Sequence, residues 1–273
     1  MNRIGYLFLY ICLGIVGLFQ IFPLVWLVLF SLKDTRQIFG SPPLSLPEEY
    51  QWENYIKVWQ SDIGIYFFNS VWYTVVAIIL TVVLASMATF AITRMRWKLS
   101  SFVLGLFMVG LMIPIHSALI PLFKMFLSVN LIDNPLSIII TYTTYNLPIT
   151  MMILLGFYYT LPREIEEAAI IDGCSINRLF FRIILPMTTP VMSTTVIINM
   201  IYNWNEFVFV NTFISSDKYK TLTVGIQNFV GQYMTDWGAI GATLVISIVP
   251  ILIAFLFFSN KVVEGISASA VKG

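Results

Sequence analysis

The chain has 273 residues, of which 58% are hydrophobic and 11% charged, and its formal net charge is +1. An ordinary soluble domain carries roughly 25% charged residues, so this composition excludes a freely soluble domain with a polar surface. The near-zero charge also gives no basic footprint for nucleic acid.

In chain order, six segments run for about 20 residues or more without Asp, Glu, Lys or Arg, the length a helix needs to cross the hydrocarbon core of a bilayer. They are Ile4–Leu32, Ile63–Thr93, Leu99–Phe123, Asn134–Pro162, Ile183–Asn205 and Trp237–Asn260. Lipid offers no partner to a free backbone N–H or C=O, so each is expected to be a helix. The first is too long for the apolar region of a cleaved signal peptide and no A-x-A site follows it, so it is expected to stay as an anchor. Cys12, inside it, and Cys174, in a charged stretch, sit in unlike environments and suggest no disulfide framework.

Six spans put both termini on one side, and the positive charges indicate which. With a cytoplasmic N-terminus, the inside holds Arg3, Arg94, Arg96, Lys98, Arg163, Arg178, Arg182, Lys261 and Lys272, against Lys33, Arg36, Lys57, Lys124, Lys218 and Lys220 outside. The inside charges also crowd the span ends, as in "RMRWK" at 94–98.

Between the fourth and fifth spans the chain interrupts itself with "EEAAIIDGCSINRLFFRIILPMTTP", residues 166–190. Pro162 suits the first position of a helix, because its missing N–H would have no partner there. Glu164, Glu166 and Glu167 then fall in the first turns, where the helix dipole favours negative charge. Asp172-Gly173 is expected to end the helix, Ser175 to cap a second one, and Pro186 to close it before the fifth span. The bare pattern admits two readings. Small, exposed Ala168 and Ala169 let another surface approach closely, or Leu179, Phe180 and Phe181 rest the segment on lipid headgroups. No catalytic set accompanies it: there is one histidine, His116, no metal-ligand cluster and no G-x-x-x-x-G-K-[ST] loop for a nucleotide.

This stretch resembles the EAA loop of ABC importer membrane subunits: Glu-Ala-Ala, three residues, Gly, then Ile-x-Leu-Pro. Glu167, Ala168, Ala169, Gly173, Ile183, Leu185 and Pro186 occupy that pattern, with Cys174 where Ala is common. "MIPIHSALIPLF" (112–123), "NWNEF" (203–207), "TDWG" (235–238) and the tail "GISASAVKG" (265–273) are similar to carbohydrate-uptake permeases of the maltose type (MalG-like). In the tail Ser269 stands where Gly is usual.

The resemblance implies an all-α fold of six transmembrane helices, the type I ABC importer (MetI-like) core, as a single permease domain over 1–273. A cytoplasmic coupling loop over 160–187 and a cytoplasmic tail over 261–273 go with it. Glu167, Ala168, Ala169, Asp172, Gly173, Leu185 and Pro186 are expected to couple to the ATPase. The implied partners are a second related permease, two ABC ATPase subunits and an extracellular solute-binding protein. No cofactor is expected in this chain, ATP and Mg2+ being expected on the ATPase.

Thr195, Asn199, Tyr202, Asn203 and Glu206 recur at three- and four-residue spacing along the fifth span and share one helix face. Hydroxyls, amides and an aromatic ring suit a sugar, and a carboxylate near a span is a functional suspect by default. The same face can instead pack against another helix through hydrogen bonds. "TYTTYN" (141–146) is a second polar patch, in which Tyr142 and Tyr145 read as packing or belt residues. The outer segment from Lys218 to Trp237 is expected to lie on the membrane surface and to help receive the binding protein. Other functions remain open: an importer for another polar solute such as glycerol 3-phosphate, an ion-coupled secondary sugar carrier, or a structural membrane protein. A secondary carrier would want more intramembrane charge and related halves.

Overall fold

The computed structural model describes residues 3–95, 97–231 and 235–270. Regular structure is helical, and among the described residues the one β pairing is an isolated antiparallel bridge between Val230 and Thr235. The helices that matter below are α1 (Arg3–Ser31), α2 (Ile63–Arg94), α3 (Ser100–Met112), α4 (Leu119–Ser128), α5 (Pro135–Tyr158), α6 (Arg163–Ile171), α7 (Thr189–Asn205), α8 (Val208–Phe213) and α9 (Trp237–Ala270).

Among the described residues, four helices are long and apolar enough to cross a membrane, or up to six spans if each of two bent pairs counts as one. The bent pairs correct the sequence reading. Leu99–Phe123 is not one straight helix: α3 stops at Met112 and the following helical stretch leaves at 97°. Ile113 is extended (ψ 120°), as the residue before a proline prefers, because the ring of Pro114 crowds an α-helical predecessor. The fifth predicted span, Ile183–Asn205, is broken as well: its first residues belong to the helical stretch Ile176–Met187, which meets α7 at 72°. Pro186 does not end that stretch. A five-residue π-turn at Phe180–Ile184 absorbs it, and the bend comes at Thr188, whose hydroxyl donates to Leu185 O at 2.8 Å. A proline inside a helix removes one i→i−4 bond and crowds the preceding turn, and a widened turn relieves both.

The chain divides into two compact units, Met1–Gly64 with Gly225–Pro250, and Ile65–Val224 with Ile251–Gly273. In the first, α1 exposes large apolar side chains, with Leu18 and Phe19 72% and 76% exposed. Such a surface is stable against lipid and not against water. At its end, Asn54 donates through Nδ2 to Ser31 O and Lys33 O at 2.9 and 3.1 Å. The start of α9 packs against this corner through glycine. A Cβ on Gly241 would stand 2.6 Å from the Phe30 ring and 3.0 Å from the Ser31 backbone, whereas one on Gly17 would meet nothing within 4 Å. Gly241→Ala is therefore expected to destabilise by about 1–3 kcal/mol through overpacking. Thermal denaturation in detergent should show a lowered midpoint, and Gly17→Ala should not lower it.

Among the described residues of the second unit there are two apolar clusters. One joins Tyr73, Phe126, Ile138, Tyr142, Phe209 and Phe213. The other joins Phe90, Leu154, Tyr158, Leu179, Phe180 and Ile184. α2 feeds both, with Tyr73 and Phe90 five turns apart along one helix. The 214–224 segment is tied down beside the first cluster. Asn69 donates to Lys218 O and Lys220 O at 2.9 Å each, and Tyr73 Oη donates to Tyr219 O at 3.0 Å. Asp133, at φ 58°, accepts from the N–H groups of Ser215 and Ser216 at 2.9 and 2.8 Å and from the Ser216 hydroxyl. The Ser216 hydroxyl and N–H hold its carboxyl below the usual carboxylate range, against a smaller desolvation effect. The segment expected from Lys218 onward is thus pinned as far as Val224, by way of a 3-10 turn at Asp217–Tyr219 and a short helix that opens at Leu222; residues 232–234 lie outside the described residues.

Candidate functional site

α6 and the turn after it form the first candidate site. Pro162 is the N-cap residue, one position before the expected one, with ψ 130° ahead of Arg163. The helix ends at Asp172 in a complete Schellman arrangement: Gly173 N–H donates to Ile170 O at 3.0 Å and Cys174 N–H to Ala169 O at 2.9 Å. Gly173 has φ +76°, the left-handed conformation that closes this motif and that a Cβ disfavours. Ser175 takes the N-cap position of the next helix without a side-chain cap bond.

Burial along α6 is one-sided. Ala169 and Cys174 pack on the second apolar cluster, and Glu166 is buried, while Glu167, Ala168, Asp172 and Gly173 are exposed. Leu185 is half-buried and Pro186 exposed. Ile170 and Ile171 project from the same segment with 60% and 85% of their surfaces exposed. A small-residue face ending in two bare isoleucines is shaped to be covered.

The second candidate site lies along α7. Its polar face meets α5 in two matching steps of four residues. Asn146 Nδ2 donates to Asn203 Oδ1 at 2.7 Å, and one turn away Asn199 Nδ2 donates to Thr150 Oγ1 at 3.0 Å. Tyr145 Oη also donates to Asn203 Oδ1, at 3.1 Å. Thr195, buried, donates back to Met192 O at 2.8 Å. Glu206 is buried just past α7 and accepts from the N–H groups of Phe209 and Val210 at 2.8 and 3.2 Å, so it caps α8. Of the five residues singled out along the fifth span, Thr195, Asn199, Asn203 and Glu206 are buried in the packing, and Tyr202 is 56% exposed.

Tyr202 faces a cleft of about 720 Å3 between the α3–α4 bend and α5. Thr144, Tyr145, Asn146, Pro114 and Phe209 also line it, and none of its lining residues is charged. His116 stands at 5.5 Å from the Phe209 ring, tilted by 32°. The cleft wall is mostly apolar and aromatic, with a few hydroxyl and amide groups among the lining side chains.

Residues 82–265 match the model of the binding-protein-dependent transport system inner membrane component family. The chain belongs to this family. A probable ABC transporter permease of Bacillus subtilis, YurM, is 35% identical over 252 residues, covering 92% of this chain and 84% of that one. The trehalose/maltose transport system permease MalG of Thermococcus litoralis is 31% identical over 265 residues, covering 95% and 94%. Among solved structures, a chain of a bacterial ABC transporter involved in the import of the acidic polysaccharide alginate superposes with a TM-score of 0.82 at 17% identity, covering 94% and 96%. That likeness concerns the fold, which is the helical core expected for this family.

The protein is accordingly a multi-pass membrane permease of an ABC transporter, a non-catalytic subunit in a system where ATP hydrolysis belongs to a partner. Two features of the permease escaped sequence reasoning. One is the α5 half of the amide ladder, although Asn146 and Thr150 repeat the four-residue spacing of Asn199 and Asn203 and were a readable signal. The other is the burial of Glu166, which looks identical in type to its exposed neighbours Glu164 and Glu167.

Proposed function

We propose that this chain is the membrane-spanning permease of an ATP-driven importer for a sugar or oligosaccharide. It forms half of the translocation pathway with a second, related permease. Both termini are cytoplasmic, and the 160–187 loop seats in a groove of one of two ATPase subunits, which carry the ATP and Mg2+. A solute-binding protein delivers sugar from outside. The observation that carries this reading is the α6 segment: anchored from behind by the Phe90–Ile184 cluster, capped at Gly173, and presenting Ala168, Ile170 and Ile171 outward. Family membership, and relatives named for trehalose/maltose and diacetylchitobiose uptake, support carbohydrate as the cargo.

In this reading the motor moves α6, the spans switch between inward-facing and outward-facing states, and sugar crosses beside the Tyr145–Tyr202 cleft. The absence of lysine or arginine from the cleft lining favours a neutral sugar over a phosphate ester, which would call for cations along its path. Tyr202→Ala is expected to raise the sugar concentration for half-maximal uptake roughly 2- to 10-fold through loss of an aromatic face. The melting temperature should not change, because Tyr202 is exposed. Uptake in cells carrying the variant, with the purified protein's melting curve beside it, checks both halves.

Gentle-detergent affinity purification from native membranes tests the assignment as a whole. The expected set is a second permease, a Walker-A ATPase and a solute-binding protein. Recovery of this chain alone, still able to move sugar when reconstituted, would favour a secondary carrier.

A further inference from the structure

Arg94 is the last residue of α2, where a long apolar helix ends. Its side chain turns inward, 6% exposed, and its Nε lies 2.6 Å from Oε1 of Glu166 in α6, itself 11% exposed. The same guanidinium donates through Nη2 to Tyr158 O at 2.9 Å and Leu161 O at 3.4 Å. One planar, always-charged group therefore grips the last carbonyl of α5, the turn after it and the first turns of α6. Glu164 and Glu167 face solvent, and Glu166 alone of the three is buried. Burying a charged pair is expensive, and surface headgroups or water would solvate either charge more cheaply. The two carbonyl bonds satisfy the C-terminus of α5 and its following turn, but neither of them requires Glu166 to be buried.

The connections on either side of α6 are unequal. Toward α7 the chain passes through the π-turn and the 72° bend at Thr188, both of which can flex. Toward α5 there is only the four-residue turn 159–162, and Arg94 bonds both of its flanks. A displacement of α6 is thus transmitted stiffly to α5 and, through the ion pair, to α2, which is not adjacent to the loop along the chain.

We propose that Arg94 and Glu166 form a latch that makes the adjoining ends of α2 and α5 travel with α6 as one body when the ATPase moves it. Arg94 is a positioning residue for transport, acting through Glu166. This rests on the reading of 160–187 as the ATPase-facing loop, and it adds the route by which force leaves that loop.

The test uses the complete complex with its ATPase subunits, in a Cys12→Ser, Cys174→Ser background, with spin labels at paired cysteines. Met95→Cys with Ile171→Cys reports α2 against α6, both sites being exposed. Ile171→Cys with Lys218→Cys reports α6 against the far end of the unit. Between the nucleotide-free and the ATP–vanadate-trapped states, the first separation is expected to hold and the second to change by about 2 Å or more. In Arg94→Gln, and in the isosteric Glu166→Gln, the first separation should change on trapping as well. The latch is overturned if the Met95–Ile171 separation already changes in the native chain, if both variants hold it fixed, or if neither variant assembles with the ATPase. An Ile171–Lys218 separation indifferent to trapping in the native chain would instead remove the coupling-loop reading, and the latch with it.

Discussion

Gly173→Val is expected to reduce uptake roughly tenfold or more, while Gly173→Asn keeps most of it. The contrast isolates backbone conformation from packing. Gly173 stands at φ +76°, and a Cβ built there meets nothing within 4 Å, so side-chain volume is not the obstacle. A residue with a Cβ loses about 1–2 kcal/mol in the left-handed region and a β-branched one more, whereas asparagine tolerates it. At 1.4 kcal/mol per factor of ten, that is enough to depopulate the cap. Without it, the two bonds from Gly173 and Cys174 to Ile170 and Ala169 open, and the exposed isoleucine end of α6 loses its fixed position. Uptake per assembled complex is the measurement, with ATPase co-purification as the control. Wild-type uptake by Gly173→Val would contradict the role given to the cap.

Glu206→Ala is expected to destabilise the folded permease by about 2–4 kcal/mol, because it leaves two buried N–H groups without an acceptor. Those groups, on Phe209 and Val210, have the Glu206 carboxylate within 2.8 and 3.2 Å, and α8 is only six residues long. A helix that short has no stability of its own and depends on its cap and its packing. Glu206→Gln keeps one acceptor oxygen and should lose less. Detergent melting curves of the three proteins should order as wild type, Gln, Ala. If Glu206→Ala melts like the wild type yet loses uptake, the carboxylate faces the cargo instead.

The helices were legible because membrane burial writes a strong signal: runs without charge, ended by Arg94 or opened by Asn134-Pro135. Where the structure departs from the straight reading, proline is the cause. Pro114 forces Ile113 out of the helix, and Pro186 is absorbed by a π-turn that no periodicity announces. The α6 cap was legible down to Gly173, since Asp-Gly before a second capped helix has few other uses. The α7 face was legible as polar but not in its orientation. Periodicity groups Asn199, Tyr202 and Asn203 on one side of a helix, yet a 100° step per residue is enough to bury the asparagines against α5 and leave the tyrosine in the cleft. Which neighbour a face meets is a tertiary fact, and it needed Asn146 and Thr150 to be in place.

In the function proposed above, α6 is the permease's contact with the motor. A photo-crosslinking amino acid placed at Ala168 in the native complex tests it most directly, because Ala168 is exposed and small. A covalent adduct with the ATPase subunit is expected, absent when the same group stands at Phe19, an exposed position in the middle of α1. An Ala168 probe that captures only lipid, in membranes where the transporter is active, would contradict it.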